Sequence, residues 1–349
     1  MYLCILMSTL IRMNIVICNH WPYGSGGSRT CAGSALVSHF NILNKACTPH
    51  DMHISIGGGG SRAMTYAAFF TRLAEKGESI QATSYAGISA GAMVGSCLAF
   101  GAAPRDILEC LNQDTLQTWT HYPRMVAVAC RLMPNMYSST VISTPMEKLL
   151  SGKHLQVPFT AGVMDESLTQ QCVTYTLGNR VSAVIPAVVA SAAVPFVFSP
   201  VSVKGYGLCI DGGSTVCRHP KSSLLAHVAS GKDVLILSSG PWPGFRQRRP
   251  SMMKNRKEIL LRQFSALDEH GLEPVVRLLG DGFRYRDGIF RYKNVTFVAP
   301  TGDQYVRSGG YDASAHIRFK RNSPMVHKLI REGNELADMY MAKFCRITF

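Results

Sequence analysis

The sequence predicts an α/β protein, because from residue 53 onward short β-prone runs alternate with stretches whose apolar residues recur at helical spacing. Two early segments make the pattern specific, each reading as a strand, a glycine-bearing turn and then a helix. An apolar fraction of 46% and a charged fraction of 17% over 349 residues provide ample surface for a large core, where a disordered chain would lack it.

The first segment runs His53-Ile54-Ser55-Ile56 into Gly57 to Gly60, then into a helix whose Ala67, Phe70, Leu73 and Ala74 share one face. Gly77 ends that helix. In the second, a strand at Ser84-Tyr85-Ala86 meets a sharp turn from Gly87 to Gly91, and an apolar helix follows from Ala92 to Phe100. Pro104 begins another helix, as proline suits a first helical position. Further strands are expected at 159–163, 172–176, 234–237 and 295–298, and helices at 186–193, 252–267 and 325–344. Between 113 and 143, Trp119, Tyr122, Met125, Met133, Met136 and Tyr137 gather with few charges, material for core packing or for a lid over lipid.

Three parts are expected. Residues 1–51 form a poorly structured or loosely attached extension, residues 52–240 a catalytic core, and residues 241–349 a basic, largely helical part packing on that core. The extension starts apolar but is broken by Arg12 and Asn14, short of the roughly 20 apolar residues of a membrane span. A signal or anchor there stays open as an alternative. The eleven cysteines show no CxxC pair and no Cys/His spacing of a zinc site, so reduced thiols and a reducing compartment are expected. The net charge of +14 is concentrated late, in Arg246, Arg248, Arg249, Lys254, Arg256, Lys257 and Arg262. Such a field favours peripheral contact with an anionic membrane surface, or is simply a solvated face. Without a basic motif interleaved with aromatics, no specific nucleic acid is predicted. The oligomeric state is not fixed by the sequence, and the expected location is cytoplasmic or at the membrane periphery.

The chemistry-bearing residues come in three groups. Gly87-Ile88-Ser89-Ala90-Gly91 has the G-x-S-x-G form of a nucleophile elbow, where glycines relieve crowding around a strained serine at a helix N-terminus. Gly57-Gly58-Gly59-Gly60-Ser61-Arg62 leaves the backbone bare between a strand and a helix, so its amides can converge on an anion. It lacks the GK[ST] ending of a phosphate loop and the acid that completes a dinucleotide site. Asp211-Gly212-Gly213 follows the run Ala190-Ser191-Ala192-Ala193-Val194-Pro195-Phe196. Each group alone also fits an ordinary turn.

In this order, the three groups resemble the patatin-like phospholipase family, whose pattern is G-G-G-x-R/K-G, then G-x-S-x-G, then D-G-G/A; the resemblance spans about residues 52–216. It implies a three-layer α/β/α sandwich with a mainly parallel central sheet, and hydrolysis of phospholipid or other acyl-lipid esters. Ser89 would be the nucleophile and Asp211 its base, a dyad without histidine. Gly58, Gly59 and Gly60 would hold the oxyanion, and Arg62 would pair with a lipid phosphate or fix the loop. Ala63 departs from the family glycine, and its methyl is expected to narrow the approach to the oxyanion site. No metal, nucleotide or organic cofactor is required.

Two other readings are carried forward. A Ser-His-Asp hydrolase would draw its base from His316 or His327. A catalytically silent membrane-binding or scaffold protein would keep the fold without the reaction.

Overall fold

The structure, a computed structural model, describes residues 52–112, 135, 137–195, 197–214, 218–243, 272–309 and 322–345. The N-terminal extension, the expected helix 252–267, the basic residues 246–262, and Trp119, Tyr122, Met125, Met133 and Met136 lie outside the described residues.

Nine strands form one sheet in the order β5-β6-β3-β2-β1-β7-β9-β8, with β4 also paired to β3. Its centre is parallel: β3 (Phe159–Met164), β2 (Ala82–Gly87), β1 (Met52–Ile56), β7 (Asp233–Leu237) and β9 (Val295–Val298). Antiparallel strands complete the edges, with β4 (Gln170–Tyr175), β5 (Val201–Val203) and β6 (Gly207–Asp211) on one side and β8 (Phe290–Tyr292) on the other. The expected boundary at 240 therefore cuts the sheet, since β8 and β9 extend it beyond the family-like segment.

The central strands read as continuous apolar runs because both faces are covered. On β7, Leu235 and Leu237 join one core while Val234 and Ile236 join another. The larger core holds helices α1 (Ala63–Glu75), α2 (Ala90–Ala99), α3 (Pro104–Leu111), α4 (Thr140–Leu150) and α5 (Val181–Ser191), together with the C-terminal helix α9 (Pro324–Phe344). The smaller core holds α6 (Lys221–Ala229) and α7 (Glu273–Leu279), with Trp242 and Phe297 at its centre. A short helix, α8 (Gly302–Arg307), begins with a capping box formed by Thr301 and Gln304. Helices on both faces of the sheet give the three layers expected.

Several elements differ from expectation. Helix α5 begins at Val181, with Pro186 inside it. Proline suits a first turn, but burial of Val184, Ile185, Val188 and Val189 carries the helix through it. The β5–β6 hairpin and α4, α6, α7 and α8 were not anticipated. Tyr137 is buried and pairs in a single bridge with Phe198, so this member of the 113–143 group is core. Two further basic residues of the C-terminal part have partners: Arg291 bonds Asp233 at 2.6 Å and the Lys293 ammonium donates to the Leu279 carbonyl at 2.7 Å. Among the described residues no disulfide forms, and no helix is long and apolar enough to cross a membrane.

Candidate active site

Parallel strands end at a common edge, and the loops leaving them there face one another. β1 delivers the glycine loop to this edge, β2 delivers the serine turn, and β7 delivers Ser238 and Ser239. The aspartate arrives by a different route. β4 occupies one side of β3 along its length, so β2 and β6 share the other side. β2 pairs with β3 as far as Gly87 opposite Ala161; two residues further along β3, Val163 pairs with Asp211. Asp211 thus stands where β2 turns away into Ser89.

Ser89 has φ 52° and ψ −120°, a left-handed conformation unusual for a residue with a side chain. The turn is compact enough that a Cβ at Gly87 would lie 2.3 Å from the Gly91 carbonyl oxygen, and one at Gly91 would lie 2.1 Å from that of Ile56. Both flanking positions therefore exclude larger residues. Ser191, fully buried on α5, holds the turn from below: the Ser89 N–H donates to its hydroxyl at 3.0 Å, and that hydroxyl donates to the Gly162 carbonyl at 2.6 Å.

The Ser89 hydroxyl is close enough to the Asp211 carboxylate to favour its ionised form. Burial pushes the Asp211 carboxyl up to about 6, against the opposing pull of Ser89, the Gly213 amide and the Arg218 guanidinium. The Gly213 N–H donates to Asp211 Oδ1 at 2.7 Å. A Cβ at Gly212 would lie 2.3 Å from the Gly162 carbonyl oxygen, which accounts for glycine directly after the aspartate.

The glycine loop lies against the serine, since a Cβ at Gly58 would sit 3.6 Å from that of Ser89. Its backbone is held on both sides: the Gly58 N–H donates to the Arg218 carbonyl at 2.9 Å, and the Ser239 hydroxyl donates to the Gly58 carbonyl at 2.8 Å. This corrects the expected role of Gly58, whose amide is already engaged by Arg218. Gly59 and Gly60 continue the loop, Gly60 in a left-handed conformation with φ 56°.

Arg62 also departs from expectation. It is 3% exposed and ion-paired with Glu332 of α9, its guanidinium also donating to Ser308 and lying 4.5 Å from the centre of the Tyr305 ring. Burial closes it to a lipid phosphate, so substrate pairing is replaced by a contact that fixes the loop. Ala63 starts α1 in ordinary helical geometry and is part of the buried core. Ser239 and Glu332 carried no signal in the sequence, each being a common residue type far along the chain from what it holds, whereas Ser191 lay within the run 190–196 without a role assigned to it.

Of the alternative bases, His327 lies exposed on α9 and His316 is outside the described residues. His219 sits behind the glycine loop, bonded at 3.0 Å to Ser55 on β1. Among the described residues no group of three or more His, Cys, Asp or Glu is placed to hold a metal ion.

No curated protein matches the chain. Fourteen chains of solved structures do, among them VipD from Legionella pneumophila, at 12% identity and a TM-score of 0.42, covering 85% of this chain and 67% of that one. The family model described as patatin-like phospholipase matches residues 54–218, taking in the glycine loop, Ser89 and Asp211. Over residues 54–218 the chain is therefore similar to the patatin-like phospholipase family.

Proposed function

We propose that this protein hydrolyses carboxylic esters of phospholipids or related acyl lipids, with Ser89 as nucleophile and Asp211 as base. The observation that carries the reading is the strained Ser89 turned toward a buried carboxylate whose acidity its hydroxyl influences. At neutral pH that carboxylate is ionised yet more basic than one in water, which suits proton abstraction. The Ser89 oxygen attacks the ester carbonyl carbon while its proton passes to Asp211. The carbonyl oxygen becomes an oxyanion, facing the amides of Gly59 and Gly60 and the N-terminus of α2. As the carbonyl reforms, the ester C–O bond breaks and Asp211 returns the proton to the leaving alkoxide. Water then attacks the acyl-serine, giving its proton to Asp211, and the fatty acid departs as Ser89 recovers its hydrogen.

An acyl-lipid substrate is what the similarity to patatin-like phospholipases supports. On α2, which Ser89 precedes, Met93 and Cys97 line a small apolar cavity with Ile107 and Leu111 of α3 and Met146 of α4. Late basic residues would supplement this by drawing the protein to anionic lipid.

The test is fatty-acid release from mixed phospholipid vesicles by the wild type and by folded Ser89→Ala and Asp211→Asn variants. Release lost in both variants supports the dyad. Release surviving either change overturns it, and no release by the wild type favours a silent lipid-binding protein.

A further inference from the structure

The described part of the glycine loop is anchored before its tip and after it by different means. Upstream, the Gly57 N–H donates to the Leu237 carbonyl at 2.9 Å, and Gly58 is held by Arg218 and Ser239. Gly60 has open space where a side chain would stand, so packing at the tip does not fix it. Downstream, one turn of 3-10 helix (Gly60–Arg62) joins the tip to α1, and the Arg62 N–H donates to the Gly59 carbonyl at 3.1 Å. Gly59 rests between Ser239 and Arg62, where a Cβ would lie 2.7 Å from the Ser239 Cβ and 3.3 Å from that of Arg62, so the turn from Gly59 into Gly60 depends on where Arg62 is held.

Arg62 is held by the C-terminal helix. Glu332, 2% exposed, pairs with the guanidinium through Oε1, and the same oxygen accepts the Thr65 hydroxyl at 3.2 Å. Its other oxygen accepts the Ser308 hydroxyl. The next residue, Gly333, allows α9 to rest on the first turn of α1, where a Cβ would lie 2.4 Å from the Thr65 carbonyl oxygen. A buried ion pair adds little net stability over an apolar pair of the same shape, but it fixes the direction of its groups.

We propose that Glu332 is a positioning residue for the reaction at Ser89. Through Arg62 it sets the turn carrying Gly59 and Gly60, which makes α9 part of the active-site machinery although it lies outside the family-matched segment 54–218. The proposal rests on the hydrolase reading above.

The experiment compares wild type, Glu332→Gln, the double variant Arg62→Met/Glu332→Leu, and Asp338→Ala. Asp338 bonds Arg72 at 2.9 Å across the same pair of helices, but at the exposed face and away from the loop. The double variant removes both charges and keeps apolar volume, so the helices stay docked if Glu332 merely helps stability. Kinetics on a phospholipid substrate are read beside hydrogen exchange of the 57–66 peptide. Glu332→Gln and the folded double variant are expected to lose about tenfold to a hundredfold in kcat, with KM within about twofold and faster exchange in that peptide. Asp338→Ala is expected to match the wild type in both. Full kcat in the double variant, or equal losses in Asp338→Ala, would overturn the proposal. Should the wild type release no fatty acid, the hydrolase reading fails by itself; unchanged exchange of the 57–66 peptide in Glu332→Gln would overturn the positioning claim independently.

Discussion

Replacing Asp211 by asparagine should abolish activity and at the same time stabilise the protein, in a manner that depends on pH. The carboxyl is raised from an ordinary 3.8 to about 6, with burial as the largest cause. At about 1.4 kcal/mol per tenfold change in acidity, holding Asp211 ionised in the folded protein costs about 3 kcal/mol relative to the unfolded chain. The sign follows from proton binding. Below 3.8 both states carry the proton and there is no cost; between 3.8 and about 6 only the folded state does, so stability falls as pH rises. Above that window the cost is complete. Asparagine is neutral throughout, and its carbonyl oxygen can accept from the Gly213 N–H as the carboxylate does. Urea unfolding of both proteins at pH 4 and pH 8 is expected to give similar midpoints at the lower pH. At the higher pH the variant should be more stable by up to about 3 kcal/mol, on the order of 5 °C in Tm. A variant less stable at pH 8, or a difference that does not change with pH, would refute the assignment of a buried, desolvated base. The wild-type kcat/KM should correspondingly fall as pH drops below about 6, as the base takes up its proton.

Two further substitutions test how the dyad is held. Ser191→Ala removes both the acceptor for the Ser89 N–H and the donor to Gly162, so it should cost about 1–3 kcal/mol in urea unfolding and lower kcat with little change in KM. Wild-type kcat in this variant would show that the elbow keeps its shape unaided. Gly212→Ala should be far more damaging than Gly213→Ala: the added methyl meets a backbone oxygen at 2.3 Å in the first, but in the second a side-chain oxygen at 3.1 Å. Equal activity in the two variants would contradict the packing of the aspartate turn on β3.

How much of this was legible in the sequence follows from the range of the interactions. The units carrying Gly57 to Gly60 and Ser89 are local: strand, turn and helix lie within 25 residues, and steric demand writes glycine directly into the turns. Strands buried on both faces appear as short apolar runs, which is why β3, β7 and β9 were found. Asp211 was legible as part of a motif, but its strand was not. Gly207-Leu208-Cys209-Ile210 shows no alternation, because β6 touches β3 through only two residue pairs and leaves Leu208 exposed. The Arg62 partner was hidden for another reason. Glu332 lies 270 positions away on a helix that otherwise reads as amphipathic, and nothing local distinguishes a buried glutamate from an exposed one. The engagement of the Gly58 amide by Arg218 is likewise a contact of backbone with backbone, to which side-chain identity contributes nothing.

The central claim is that Ser89, activated by Asp211, forms the covalent bond. The most direct measurement is mass spectrometry of the protein after reaction with a fluorophosphonate that mimics the acyl group, with the adduct located by peptide mapping. The account predicts one adduct, on Ser89, absent in Ser89→Ala and formed at least about a hundredfold more slowly in Asp211→Asn at pH 8. An adduct on another residue, or labelling at an unchanged rate in Asp211→Asn, would contradict it.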